Sequence, residues 1–197
     1  MYIDRILAPV TTLGPGARLV IWTKGCSKHC KNCANPELWS IKGARNYPVS
    51  EVVQIVKNII RSGDITGITI SGGDPLEQKE DFLQLIQELS LVIEDILVYT
   101  GFTMELIENR WSASELHQLK RNVSVLIDGP YIDEQNVESS VLRGSINQKL
   151  YFFKSEYESV YKEYMSAGRK IQNIYMGEKL ISVGIHNRKE RYNIEET

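Results

Sequence analysis

Residues 18–33 read RLVIWTKGCSKHCKNC, a β-rich apolar run that leads directly into a loop of cysteines. The run predicts a short buried strand. Cys26, Cys30 and Cys33 follow it and are the only cysteines of the chain. Soft thiolates clustered on one short loop are typical ligands of metals and iron–sulfur clusters. The stretch therefore predicts a strand whose end carries a metal or cluster site.

The number of thiols indicates which group they hold. Their spacing is C-x3-C-x2-C, which supplies three ligands from one loop. A [4Fe–4S] cluster ordinarily takes a cysteine at every iron, so three cysteines leave one iron open to an outside ligand. An open iron makes the cluster a site for chemistry as well as a relay for electrons.

Two other roles for the thiols compete with the cluster. A disulfide framework fits poorly, because the number of cysteines is odd and no secretory signal precedes them. Zinc is the stronger rival, with His29 as the fourth ligand of a Cys3His set. Against zinc, His29 and Cys30 are neighbours that point in opposite directions on an extended loop, and no second ligand pair follows. The open-iron cluster is the favoured interpretation.

Length and composition indicate an ordinary globular protein. The chain has 197 residues, 42% of them hydrophobic and 24% charged, which fits one domain with or without a small appendage. The net charge of −2 gives no electrostatic basis for a nucleic-acid partner. No apolar run reaches membrane-spanning length, so no membrane partner is expected. Reduced thiols without a targeting segment predict a cytoplasmic protein.

Strands and helices alternate along most of the chain. Periodicity predicts strands at residues 18–23, 67–70, 96–99 and 123–127. It predicts helices from Ser50, as the N-cap, to about residue 60, and at 79–91, 104–108 and 114–120. Such alternation predicts βαβ units and a parallel sheet, which curls toward a barrel or a doubly wound sheet.

The polar motifs all follow predicted strands. The cysteine loop follows the first strand, and SGGDP, Thr100-Gly101 and Asp128-Gly129 follow the next three. Because the carboxyl ends of parallel strands meet at one edge, these motifs are expected on a common rim. Gly72 and Gly73 let a ligand approach the backbone closely, and Asp74 can accept hydrogen bonds from an ammonium group. The rim suits a ligand that offers an amino and a carboxylate group to iron.

The last part of the chain changes character. Residues 157–165 predict a helix with tyrosines along one side, which favours core packing. Residues 170–176 and 179–183 predict a hairpin that turns at Gly177-Glu178. The expected organisation is a core at residues 1–150 with a helix–hairpin extension at 151–197 packed on it.

Several motifs in order resemble one superfamily. The three-cysteine loop resembles the signature of radical S-adenosylmethionine (SAM) enzymes, and Ser71–Pro75 resembles their SAM amino-group motif. The closer resemblance is to the compact activating proteins of the anaerobic ribonucleoside-triphosphate reductase, a family of glycyl-radical activases. It is carried by GPGAR at residues 14–18, NPELW at 35–39, ISGGDPL at 70–76, YTGF at 99–102, VLIDG at 125–129 and LRGSINQ at 142–148.

The resemblance implies a fold and a reaction. The fold is an α/β partial, open β/α barrel whose open side receives a protein substrate. The reaction is cleavage of SAM at a reduced [4Fe–4S] cluster, with electrons from a flavodoxin-like or other low-potential donor. The resulting 5′-deoxyadenosyl radical takes a hydrogen atom from a glycine of a large glycyl-radical partner. No side-chain general base is expected, because the radical needs proximity and not a proton acceptor.

The resemblance also implies residue roles. Cys26, Cys30 and Cys33 hold the cluster, and Gly72, Gly73 and Asp74 receive the SAM amino group. The backbone of Asn32, Cys33 and Ala34 lies near the adenine, and Thr100 contacts the ribose or methionine. Arg143 and Asn147 contact the SAM carboxylate or the partner, or form a polar turn, and Asp128 forms a strand-end turn or a SAM contact.

Two features depart from the family pattern. The position before the third cysteine is often aromatic in the superfamily, but here it is Asn32. Compact activases end soon after the Asn147-Gln148 motif, whereas this chain continues to residue 197. The longer chain leaves open a stand-alone radical SAM enzyme that acts on another glycyl-radical enzyme or on a peptide. A non-catalytic metal-binding module is the alternative from a different class.

Overall fold

A computed structural model describes residues 1–187 of the chain. Its centre is a six-stranded open sheet in which the strands lie in chain order. The strands are β1 Ile3–Val10, β2 Arg18–Thr23, β3 Gly67–Gly72, β4 Ile96–Tyr99, β5 Val125–Asp128 and β6 Lys149–Phe152. The four central strands are parallel, and β1 and β6 pair antiparallel at the two edges. All four predicted strands are therefore present, within two residues of their predicted bounds at either end.

Four helices cover one face of this sheet. They are α1 Val49–Ser62, α2 Lys79–Leu89, α3 Met104–Arg110 and α4 Ala113–Asn122. Alternate residues of the central strands, such as Ile21, Ile70 and Val98, point into this layer and are fully buried. The prediction of Ser50 as N-cap was wrong, because the helix starts at Val49 with Pro48 as its N-cap. Proline suits a helix start, where a missing N–H breaks no intrahelical bond.

The opposite face of the sheet is covered by the end of the chain. Helix α5, Glu158–Ser166, packs Tyr161 against Leu97, Val125 and Ile127. The hairpin of β7, Ile171–Met176, and β8, Lys179–Gly184, forms a separate two-stranded sheet. Both elements were predicted. Residues 188–197 of the predicted extension lie outside the described residues, and the division into core and extension at residue 150 stays a prediction.

The architecture confirms the α/β class and a sheet that stays open. The partial barrel implied by the resemblance stays a prediction. Neither edge strand was predicted: β1 reads IDRILAPV, which mixes charges with a proline and lacks clean alternation. Among residues 1–187, none of the helices has the length and apolar character needed to span a membrane.

A buried ion pair fastens the amino-terminal end of the sheet. Arg18 is fully buried, and its Nη1 donates to Asp95 Oδ2 at 2.6 Å. The other oxygen of Asp95 accepts from the Tyr161 hydroxyl at 2.8 Å. A Cβ at Gly14 would lie 2.7 Å from Arg18 Cδ, so the GPGAR motif makes room for this guanidinium. The motif is thus structural, and it ties α5 to the sheet.

Candidate functional site

A cavity of about 520 Å³ lies where the carboxyl ends of the parallel strands meet. The size is typical of a small-molecule site. The sequence-predicted residues that line it are Cys26, Cys30, Cys33, Ala34, Gly72, Gly73, Asp74 and Thr100. The fold therefore brings the cysteine loop, the SGGDP motif and the end of β4 to one space.

Backbone hydrogen bonds fix the start of the cysteine loop. Gly25 N donates to Leu38 O at 2.8 Å, and Cys26 N donates to Trp39 O at 3.0 Å. Within the loop, Cys33 N donates to Cys30 O at 3.1 Å. All three cysteines are free and partly exposed to the cavity. The loop is therefore held in shape by the segment that follows it, and its thiols face a common space.

Burial and nearby hydrogen-bond donors have opposite effects on the pKa values of the Cys26 and Cys30 thiols. Desolvation raises the pKa of the Cys26 thiol, which the backbone N–H groups of Lys28 and His29 oppose. Desolvation likewise raises the pKa of the Cys30 thiol, which the backbone N–H of Tyr131 opposes. Each donor would also stabilise a thiolate bound to iron. Cys26 and Cys30 therefore have donors nearby that suit the thiolates which a cluster binds.

The zinc alternative requires His29 as its fourth ligand. The His29 ring packs on the Trp39 ring with centroids 4.8 Å apart. Within residues 1–187, no three or more His, Cys, Asp and Glu side chains are grouped as they would be around a bound metal ion. A single zinc ion needs ligands that converge on one point, whereas a cluster binds each thiolate at a separate iron.

The paired glycines bring two loops into backbone contact. Gly73 N donates to Thr23 O and Asp74 N donates to Gly25 O, both at 2.8 Å. A Cβ at Gly73 would lie 2.4 Å from Gly25 O, and one at Gly72 would lie 2.3 Å from Thr23 N. These glycines therefore hold the SGGDP motif against the base of the cysteine loop, in addition to lining the cavity.

Asp74 is a buried carboxylate at the floor of the cavity. Its oxygens accept from Leu76 N at 3.1 Å, Thr100 Oγ1 at 2.8 Å and Gly101 N at 2.9 Å. Burial nevertheless raises the pKa of Asp74 to about 6, so three donors do not fully offset desolvation. A ligand ammonium at this end of the cavity would stabilise the ionised carboxylate. Thr100 is placed by this contact with Asp74.

Lys28 places a cation on the wall of the cavity. Its ammonium lies 3.3 Å from the centroid of the Phe102 ring and 3.3 Å from Glu77 Oε1. Its charge favours the ionised forms of Cys26, Cys30 and Asp74. This role of Lys28 could not be predicted from the sequence, because a lysine in a polar loop is usually solvated.

Four of the sequence-predicted residues do not line the cavity. Asn32 donates to Asp133 Oδ2 at 3.0 Å, so its side chain ties the cysteine loop to the segment after β5. Asp128 accepts from Met104 N at 2.7 Å and Lys149 N at 3.1 Å. Arg143 Nη1 donates to Gln148 O at 3.1 Å, and Asn147 Nδ2 donates to Pro130 O at 2.8 Å. The contacts of Asp128, Arg143 and Asn147 are made to backbone, whereas that of Asn32 is made to a side chain, and any ligand role of these four residues stays a prediction.

Other residues at the cavity were not predicted. Arg5 lies on the unpredicted strand β1, with its guanidinium 5.0 Å from the centroid of the Trp22 ring. Residues 181–186 come from the end of the hairpin. No local pattern could have identified them, because both segments reach the cavity only through tertiary packing.

The fold and the cysteine loop define a single-cluster iron–sulfur protein. A family model described as "4Fe-4S single cluster domain" matches residues 12–151. This region includes all three cysteines and strands β2 to β5, together with most of β6. The helix α5 and the hairpin lie beyond it.

Curated relatives narrow this class. The chain is 33% identical to the anaerobic ribonucleoside-triphosphate reductase-activating protein of Enterobacteria phage T4 over 156 residues, which cover 77% of this chain and 94% of the relative. It is 33% identical to the protein of that name from Haemophilus influenzae, over 72% of this chain and 91% of the relative. The Vibrio cholerae protein of that name is 30% identical, over 71% of this chain and 90% of the relative. The chain belongs to the family of anaerobic ribonucleoside-triphosphate reductase-activating proteins.

Proposed function

We propose that the chain is a radical SAM activase that generates a glycyl radical on a partner enzyme. The observation that carries the proposal is the joint lining of one cavity by three free cysteines, the SGGDP motif and Thr100. The cysteines supply three thiolates for a [4Fe–4S] cluster and leave one iron for SAM. The remaining lining offers polar groups for the rest of the ligand.

Residues of the cavity lining suit the amino-group end and the adenine end of a SAM molecule. The buried carboxylate of Asp74, with its raised pKa, favours a neighbouring ammonium. Gly72 and Gly73 expose backbone beside it, and Thr100 is fixed by its bond to Asp74. The backbone of Cys33 and Ala34 lies on the same cavity and is available to the adenine. The chain's share is to bind and orient the ligand and to limit solvent access.

The cluster and SAM would supply the radical chemistry of the reaction. When bound, a reduced cluster would supply one electron for cleavage of SAM to methionine and a 5′-deoxyadenosyl radical, and that radical would take a hydrogen atom from a glycine Cα. The electron comes from a flavodoxin-like or other low-potential donor. The products are 5′-deoxyadenosine and a glycyl radical on the partner. A reaction of this kind requires reduced thiols, which suits the cytoplasm.

The relatives indicate which partner to test. Their name specifies activation of the anaerobic ribonucleoside-triphosphate reductase. We therefore propose that reductase as the large glycyl-radical partner. Action on another glycyl-radical enzyme or on a peptide is the second candidate, because α5 and the hairpin lie beyond the matched family region.

Anaerobic reconstitution tests the proposal. We expect about four irons per chain, a brown protein, and 5′-deoxyadenosine from SAM on reduction. Mixing with the reductase from the same genome should give a glycyl-radical signal in electron paramagnetic resonance. The Cys30→Ala variant should lose the iron and both activities. A colourless protein that binds one zinc, or a reduced cluster that leaves SAM intact, would overturn the proposal.

Lys28 allows a separate prediction about the reconstituted cluster. The Lys28→Gln variant should have a lower midpoint potential by tens of millivolts, where about 59 mV is a tenfold change for one electron. A nearby cation favours the more negative reduced cluster, so its loss disfavours reduction. The matched control is Lys31→Gln, because Lys31 lies on the same loop but its side chain is 72% exposed. A redox titration that gives equal potentials for both variants would refute the prediction.

A further inference from the structure

The Lys28 side chain reaches from the cysteine loop to the loop after β4. Lys28 lies between Cys26 and Cys30 in the chain and lines the cavity with both of them. Its ammonium lies 3.3 Å from the centroid of the Phe102 ring. A Cβ at Gly101 would lie 2.9 Å from Lys28 Cγ, so the bare backbone at Gly101 leaves room for the lysine stem. The side chain is only 19% exposed, and its charge is therefore held at the site.

Glu77 contacts this part of the cysteine loop from outside the cavity. Its Oε1 accepts from Lys28 Nζ at 3.3 Å. The same oxygen accepts from Ser27 N at 3.1 Å and from the Ser27 hydroxyl. Glu77 lies in the short 3₁₀ helix Pro75–Gln78 and is not among the described residues that line the cavity. A change at Glu77 therefore alters the loop's charges without touching a ligand in the cavity.

The contacts of Glu77 keep its carboxylate ionised. Burial raises the pKa of Glu77, but the hydrogen bonds from Ser27 and the charge of Lys28 lower it by more, so the pKa lies below its usual value. Both members of the Glu77–Lys28 pair are therefore charged at neutral pH. A carboxylate beside an ammonium opposes the field of that ammonium at any third charge nearby. The pair thus places two opposed charges beside the thiols.

We propose that Glu77 lowers the reduction potential of the bound cluster by offsetting the charge of Lys28. The inference rests on the proposed function and adds a positioning residue that acts through Lys28. Reduction moves one electron from the low-potential donor, which is oxidised, to the cluster, which becomes more negative. Lys28 favours this added charge and Glu77 opposes it. Glu77 therefore makes the reduced cluster a stronger donor of its electron.

Matched charge variants test this proposal in anaerobic redox titrations of the reconstituted protein. Glu77→Gln keeps an oxygen acceptor for Ser27, so it should retain its iron and raise the equilibrium constant for reduction at least threefold, where tenfold is about 59 mV for one electron. The double variant Glu77→Gln, Lys28→Gln loses one charge of each sign and should return to within twofold of the unaltered protein. The control is Glu80→Gln, whose side chain is 87% exposed and whose charge is screened by solvent.

A second control separates charge from loop shape. Ser27→Ala removes the hydroxyl that donates to Glu77 but changes no charge, so it should leave the potential unaltered. A shift in Ser27→Ala as large as that in Glu77→Gln would overturn the proposal, and so would loss of iron from Glu77→Gln, because Glu77 would then act by holding the loop in shape.

Two further outcomes would contradict the role of Glu77. Equal potentials for Glu77→Gln and Glu80→Gln would show that the carboxylate does not influence the cluster. A double variant that stays at the potential of Glu77→Gln would show that Glu77 does not act through Lys28. Both outcomes leave the proposed function intact. If the unaltered chain takes up no [4Fe–4S] cluster, the proposed function itself fails and this inference falls with it.

Discussion

Replacing Gly73 by alanine is expected to remove most of the bound iron and the activity that depends on it. The added Cβ would lie 2.4 Å from Gly25 O and 2.9 Å from Leu38 O. Both atoms belong to backbone, so no flexible side chain can move aside. Gly25 precedes the first cysteine, and its displacement would shift the cysteine loop. Overpacking of this kind also costs about 1–3 kcal/mol of folding free energy.

The measurement for Gly73→Ala is iron per chain after anaerobic reconstitution, together with the free energy of unfolding. The control is Gly63→Ala, where the nearest atom to a new Cβ is Ile59 O at 3.8 Å. Gly63 has an extended backbone, so alanine fits there without strain. Full iron content in Gly73→Ala would show that the two loops can separate without harm to the site.

Replacing Asp95 by alanine is expected to lower the free energy of unfolding by roughly 3–5 kcal/mol, because it leaves a buried guanidinium without its counter-ion. Arg18 is 0% exposed, so water cannot replace the lost carboxylate. Thr69 Oγ1 and the carbonyl of Ile68 would remain as acceptors, but neither carries charge. The hydroxyl of Tyr161 would lose its acceptor as well.

Urea unfolding under anaerobic conditions measures this loss. Tyr161→Phe removes one hydrogen bond from the same group and should cost about 0.5–1.5 kcal/mol. Asp64→Ala alters an exposed aspartate and should change stability by less than about 0.5 kcal/mol. If Asp95→Ala were as stable as Asp64→Ala, Arg18 would have found another partner or access to water.

The central strands could be predicted because each lies in a short apolar run with turn residues behind it. Buried parallel strands carry this pattern locally, since both of their faces are covered. Edge strands show this apolar pattern only weakly. Strand β1 includes Asp4, Arg5 and Pro9, and it is recognisable as a strand only beside β2. The hairpin was predicted because its turn at Gly177 and its flanking β-rich runs are local signals.

The cysteine loop and the glycine motif could be placed on one rim from the sequence, because parallel strands direct their carboxyl ends to the same edge. Other candidates were harder to judge. Asp128, Arg143 and Asn147 have the right chemistry for a ligand, yet the Asp128 carboxylate, Arg143 Nη1 and Asn147 Nδ2 each bond to backbone. A polar side chain after a strand serves a turn or a ligand, and only its partners distinguish these roles.

The positions of the central strands, the three-thiol loop and the resemblance to a family could be recognised from the sequence alone, because these depend on neighbours along the chain. Which residues share the cavity became clear only from the folded chain. Lys28 faces Phe102, Arg5 lies over Trp22, and the hairpin end closes one side of the site. These contacts join segments far apart in the chain, and burial of apolar surface against the sheet brings them together, which no local pattern records.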